Sequence, residues 1–235
     1  MNLLFKVLPI FLCINLFSQV IDYDYKNNGT TLKYQLLVSN NQQNSEWRMI
    51  VNGRGDSISI ENNFRPFYKK ENEYYLEDKT INGITLIKDV PSIKWNSQKD
   101  NKVILGYKCN SAITEFRGRT YKAYYTTSIK YNLGPWKFSG INGLILSIIS
   151  EDGLYAFEAT KVDLNINKFN EDRLNTFINN NSFIDWNNFV KMYKNDIDKF
   201  ILNEKCNCET DGTNVLQISK IEKVYPELHD NGITY

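Results

Sequence analysis

Between residues 20 and 165 the chain is cut into short runs rich in Tyr, Val, Leu and Ile, each closed by a turn signal. No helical period separates these runs, so the strand–helix–strand alternation of a doubly wound nucleotide-binding fold is missing. What remains is an antiparallel, meandering sheet. Residues 20–25 and 32–39 read as its first strands, a polar Asn and Gln run over 39–45 as a loop, and 47–52 and 57–60 as short strands around Gly53 and Gly55. Arg54-Gly55-Asp56 in that turn spells an adhesion tripeptide, and the turn reading takes precedence.

Further strands fall at 74–76 and 84–88, with Asn82-Gly83 between them as a hairpin signal. Residues 103–116 read as one long half-buried strand, with Val103, Leu105, Tyr107, Cys109 and Ile113 on one side. Phe116-Arg117-Gly118-Arg119 forms its tip, and Tyr121, Ala123 and Tyr125 lie on the return strand. Residues 144–150 and 154–162 are joined by Asp152-Gly153, another hairpin signal.

The pattern changes at Asn165. Ser182, followed three residues later by Asp185, is a weak capping box, and Trp186, Phe189, Tyr193, Ile197, Phe200 and Ile201 follow at three- and four-residue spacing. This predicts an amphipathic helix over 182–203, with a shorter helix around 172–178, so the helical segment covers about 171–204. The aromatic stripe is expected to pack on one face of the sheet; a lipid-binding face is the alternative. A possible strand over 215–224 and a polar tail with Pro226 and His229 complete the chain.

The first 18 residues have a basic head, Lys6, and an apolar run over 7–17, with Ser18 before Gln19. That run is too short to span a bilayer, which takes about 20 residues, and suits a secretory signal peptide cleaved near Gln19. Leu12 precedes Cys13 where a lipoprotein anchor needs a small residue. No later segment is long and apolar enough to span. The expectation is an exported protein, periplasmic, at the cell surface or secreted, with one β-rich domain over 19–235. Without Lys6 the chain has 27 basic and 27 acidic residues, so no net charge draws it to nucleic acid or anionic membrane.

Candidate chemistry is sparse. The single histidine, His229, has no activated-nucleophile turn to serve, and no phosphate loop or zinc-protease helix is present, so neither an enzyme nor a cofactor is read. Cys206 and Cys208, one residue apart, admit three readings: a disulfide from Cys109 to one of them, a soft-metal site, or free thiols. The disulfide would staple the helical part to the sheet. Arg117 and Arg119 could grip an anion through their forked donors, although hairpin tips carry exposed charge routinely. The most irregular stretch, residues 134–146, packs three glycines, a proline and two aromatic rings before an apolar run, which suits a tightly turned segment feeding a buried strand.

Several motifs in the region 95–162 resemble the GLPGLI family of exported Bacteroidetes proteins. Gly140-Ile141-Asn142-Gly143-Leu144-Ile145 occupies the signature, with Ile141 and Asn142 in place of its leucine and proline. Gly134-Pro135-Trp136-Lys137-Phe138 precedes it, and Leu105-Gly106-Tyr107-Lys108-Cys109, the Phe116–Arg119 tip and Tyr124-Tyr125-Thr126 lie upstream in order. Asn142 tolerates a turn or left-handed conformation, so the turn is expected to survive the loss of proline. The resemblance implies export, a β-rich fold and a non-enzymatic binding or interaction role, with the 134–146 segment shaping a rim. Its hairpin-rich layout is similar to the curved half-barrels of periplasmic lipoprotein carriers, in which helices cover an apolar concave face. An apolar small molecule or an envelope protein is the expected partner, and thiolate metal handling through Cys206 and Cys208 is the rival role.

Overall fold

The computed structural model describes residues 19–59, 65–166, 168–207, 214–218, 220–230 and 232–234. The expected signal peptide and Cys208 lie outside them. In chain order the strands are β1 (Gln19–Asn27), β2 (Thr30–Val38), β3 (Asn44–Val51), β4 (Phe67–Lys70), β5 (Glu73–Thr80), β6 (Gly83–Asp89), β7 (Asn96–Ile104), β8 (Tyr107–Phe116), β9 (Arg119–Thr126), β10 (Asn132–Leu133), β11 (Gly143–Ser150) and β12 (Tyr155–Asp163). Then follow α1 (Glu171–Asn179), β13 (Ile184–Asp185), α2 (Trp186–Asn207), β14 (Val215–Leu216), α3 (Pro226–Asp230) and β15 (Ile233–Thr234).

Thirteen strands form one open sheet in the order β13-β6-β5-β4-β3-β2-β1-β12-β11-β9-β8-β7, with β10 beside β11. Neighbours pair antiparallel except at two short parallel additions, β10 on β11 and β13 on β6. The protein is thus mainly β with a helical C-terminal part. Two meanders, β1 to β6 and β7 to β12, are joined where β12 returns to pair with β1.

Several hairpins turn on two residues that both have positive φ, the geometry that matches the twist of the flanking strands. Asn28-Gly29 suits this by composition, and Arg117-Gly118 adopts it at the tip between β8 and β9. The third such turn, Leu105-Gly106, divides what the alternation marked as one strand over 103–116 into β7 and β8. Leucine carries no turn signal, yet Leu105 has φ 51°.

The sheet is strongly curled. Trp47 on β3 and Phe157 on β12 are three strands apart, roughly 14 Å in a flat sheet, yet their ring centroids are 5.9 Å apart. The ends of the sheet approach each other too. Asp89 closes β6 and Arg117 follows β8, nine strand steps away, roughly 43 Å if flat, and their side chains hydrogen-bond at 2.6 and 2.8 Å.

Alternation then assigns the two faces. Tyr23, Leu36 and Trp47 point into the concave face, together with Phe116, Phe138, Ile145 and Phe157, and form one buried cluster. At the other end of the same face, Phe189, Tyr193, Ile197 and Ile201 of α2 pack on Tyr74, Leu76 and Ile87. The aromatic stripe is therefore core, as its sheet-packing reading required. On the convex face α1 lies against β4, with the Phe177 ring 5.4 Å from Tyr68.

The helix boundaries differ from the capping-box reading. Residues 182–185 are extended, because Ile184 and Asp185 pair with Ile87 and Lys88 as an added strand. Asp185 is the residue that caps α2: its carboxylate accepts a hydrogen bond from the Asn188 backbone N–H at 2.9 Å, satisfying a donor that the first turn leaves without a partner. Of the possible strand over 215–224, only Val215 and Leu216 pair among the described residues, with β15. Residues 220–224 form an irregular strap instead.

Candidate functional site

Where the two sheet ends meet, four charged side chains, Asp89, Arg117, Lys137 and Glu222, interlock as a clasp. Lys137 donates from its buried Nζ to both oxygens of Glu222 at 2.9 Å and lies 2.9 Å from Asp89 Oδ2. Arg117 forks onto both oxygens of Asp89 and also pairs with Glu222. Two cations thus face two carboxylates, none exposed, and the Arg117 guanidinium lies 3.4 Å from the Trp186 ring centroid. The Lys137 ammonium is 5.1 Å from the Trp136 ring and 4.7 Å from the Trp186 ring, a cation–π enclosure. Burial alone pushes the Asp89 carboxyl up, but the Lys137 ammonium and the Arg117 guanidinium outweigh it and hold it below the ordinary carboxylate range.

The 134–146 segment exists to deliver Lys137 and Phe138 inward. Trp136 has φ 55°, a left-handed conformation that costs a bulky residue about 1–2 kcal/mol. Close packing fixes the glycines on either side. A Cβ on Gly134 would sit 2.8 Å from Ile145 Cβ and from the Phe138 carbonyl oxygen, and one on Gly143, at φ 147°, 2.5 Å from the Thr126 carbonyl oxygen. The left-handed residues are Trp136 and Gly140, at φ 55° and 87°, while Asn142 is exposed without positive φ and Ile141 is buried. Leu144 and Ile145 are fully buried on β11.

The strap completes the closure. The Lys223 backbone N–H donates to the Arg117 carbonyl at 3.0 Å, the Tyr121 hydroxyl to the Ile221 carbonyl at 2.9 Å and Arg119 to the Lys220 carbonyl at 3.3 Å, tying the strap to the β8–β9 hairpin. On its other side Lys220 Nζ donates to Asp78 at 2.5 Å and to the Lys79 carbonyl at 3.0 Å on β5. One short segment thereby bridges both ends of the sheet.

Beneath the strap the concave face is left open between its two packed ends. A cavity of about 570 Å³ lies there, floored by Tyr25, Tyr34, Trp47 and Phe157. Trp136 bounds it on one side and Phe67 and Leu76 on the other. Tyr34 stacks on Trp47 at 4.8 Å and Tyr25 on Phe157 at 4.3 Å, so the floor is two flat ring pairs. Such a volume and aromatic lining are typical of small-molecule sites, which span roughly 300–1,000 Å³.

Of the residues singled out from the sequence, Trp136 lines the cavity, while Lys137 and Arg117 belong to the clasp. Both arginines of the tip are committed to this chain's own carboxylates, Arg119 to Asp152; Phe116 is core and Gly118 turns the hairpin beside Lys223. The expected disulfide is corrected. Cys109 is a buried free thiol in the cluster that includes Ile104 and Ala112, whereas the helix carrying Cys206 packs in the other cluster. Among the described residues no group of three or more His, Cys, Asp or Glu is placed to hold a metal ion, and no helix is long and apolar enough to cross a membrane.

Sequence reading missed Asp89, Glu222 and the cavity floor. Asp89 carried one usable signal: it follows the buried Ile87 by two residues, so an acid occupies an inward position of a strand. Glu222 carried none.

No family model and no curated protein matches this chain. Its fold is similar to part of PNGF-II, seen in two crystal forms: in one, TM-score 0.51 at 16% identity over 88% of this chain and 38% of PNGF-II; in the other, 0.49 at 16% over 72% and 30%. This chain therefore spans well under half of PNGF-II. An uncharacterised conserved protein from Thermus thermophilus matches with TM-score 0.43 at 8% identity, over 73% of this chain and 91% of that one.

Proposed function

We propose that the protein is an exported binding protein that holds an apolar or amphipathic small molecule in the concave face of its sheet. The observation that carries this reading is the cavity of about 570 Å³, floored by two stacked ring pairs and left unfilled between the packed ends of the face. An ordinary core closes such a space, because interiors pack at crystal-like density. Here the clasp and the strap hold the walls apart while Trp136, kept in a left-handed conformation, forms one of them. The support has moved from where the sequence put it: the α2 stripe is core, and the cavity is lined by β1 to β5, β12, Trp136 and the strap. Export rests on the first 18 residues and on the resemblance to the GLPGLI family.

Native mass spectrometry of the protein purified from its own exporting cell tests this. A non-covalent increment that disappears on denaturation, and is weakened by Trp47→Ala, is the expected result. Equal native and denatured masses, together with no saturable uptake of an apolar dye, would overturn the reading.

A further inference from the structure

Resting on that reading, we infer that the ligand is an amphiphile with one anionic head and one alkyl chain, its head held by Arg65 and Tyr34. The argument is a charge balance over the side chains that face the cavity. Glu222 is neutralised within the four-charge clasp, and Asp78 by Lys220. Glu77 and Lys79 also border the cavity but alternate along β5 with the inward Leu76 and Asp78, so their charges point to the other face, as does Tyr75, whose ring packs on Phe183. Arg48 likewise alternates with the inward Trp47 and hydrogen-bonds Gln35 on the outer ladder. Arg65 remains. It borders the cavity, forms no ion pair among the described residues, and its charge is felt at the Tyr34 phenol.

Tyr34 supplies the second half of the site. Its hydroxyl has no hydrogen-bond partner among the described residues, and burial pushes its pKa up to about 12, so at neutral pH it stays protonated and can donate. A guanidinium fork and a phenol donor together suit a carboxylate, sulfate or phosphate oxygen set. Trp47, Phe157 and Trp136 line the same cavity, and their rings suit a hydrocarbon chain rather than a second charge. The cavity thus offers a guanidinium unpaired among the described residues and a phenol donor together with aromatic faces.

Three twelve-carbon probes, each below its micelle concentration, test this by tryptophan fluorescence titration: dodecanoate, dodecanol and dodecyltrimethylammonium. Dodecanoate is expected to bind at least tenfold more tightly than dodecanol, and the cation to bind most weakly. Arg65→Gln, at an exposed residue with no ion pair among the described residues, should leave folding intact and remove the preference for dodecanoate while sparing dodecanol; Tyr34→Phe should reduce it several-fold. Equal affinity for dodecanoate and dodecanol, or an unchanged preference in Arg65→Gln, would overturn the inference while leaving the binding function standing. No binding of any probe would overturn both.

Discussion

Replacing Lys137 with methionine removes one charge from the clasp at nearly constant volume. In the wild-type protein its ammonium is fully buried and lies 2.9 Å from oxygens of both Asp89 and Glu222. After substitution the two largely buried carboxylates share Arg117 alone. Breaking a buried pair by deleting one partner typically costs about 3–5 kcal/mol, because the remaining charge stays desolvated. The lost enclosure by Trp136 and Trp186 adds to this. The comparison is Lys33→Met: Lys33 is 3.8 Å from Asp24 on the surface, where such a pair contributes about 0–1 kcal/mol.

Urea unfolding followed by tryptophan fluorescence measures both variants, with an unchanged m-value required before midpoints are converted to free energies. The pH dependence supplies a sign. Asp89 has a folded pKa held below its ordinary value, so the stabilisation from its pairing is fully present above that ordinary value and is lost as the pH falls through the folded one. The Lys137→Met penalty should therefore be largest near neutrality and shrink below about pH 4. A loss at pH 7 no larger than that of Lys33→Met would refute the idea that the four charges hold the sheet ends together.

Three further outcomes follow from single contacts. Asp185→Ala removes the cap of α2 and should lower the unfolding midpoint in the same urea experiment. Cys109, whose thiol burial pushes up, should stay unreactive to a thiol reagent in the native protein and titrate only on unfolding; rapid native labelling would contradict its placement. Glu46 is buried on the convex face with an oxygen that accepts no hydrogen bond among the described residues, and burial raises its pKa despite Arg48 and Arg173. Its folded carboxyl binds a proton more tightly than the unfolded one, so stability is lost as the pH rises through that range. Glu46→Gln should stabilise the protein at pH 7 by about 1 kcal/mol and have little effect at pH 4; destabilisation at pH 7 would count against it.

The sheet was legible because its signals are local. The apolar runs over 32–39 and 144–150 and the turns at Asn82-Gly83 and Asp152-Gly153 each depend on residues a few positions apart. The same locality explains the failures. Leu105 turns a hairpin without a turn residue's chemistry, since its left-handed conformation is imposed by the pairing of Ile104 with Tyr107. The strap over 220–224 has strand-like composition, but hairpin and β5 side chains take up its backbone carbonyls and charges. The clasp was illegible for a different reason. Asp89, Arg117, Lys137 and Glu222 are spread along most of the chain and meet only because a sheet of this order curls, and the curl depends on the sum of many pairings. Lys137 and Arg117 stood out as members of unusual segments, yet their partners did not. The α2 stripe was visible as a pattern, and only packing on Tyr74, Leu76 and Ile87 assigns it to the core.

The most direct test of the cavity as the binding site is photo-crosslinking with a twelve-carbon fatty acid carrying a diazirine at mid-chain, followed by peptide mapping. Adducts should concentrate on the peptides bearing Tyr25, Tyr34, Trp47, Phe157 and Ile221, and should be suppressed by excess dodecanoate. Labelling that falls instead on exposed apolar residues outside the concave face, such as Val103 or Leu202, and that excess dodecanoate leaves unchanged, would contradict the assignment.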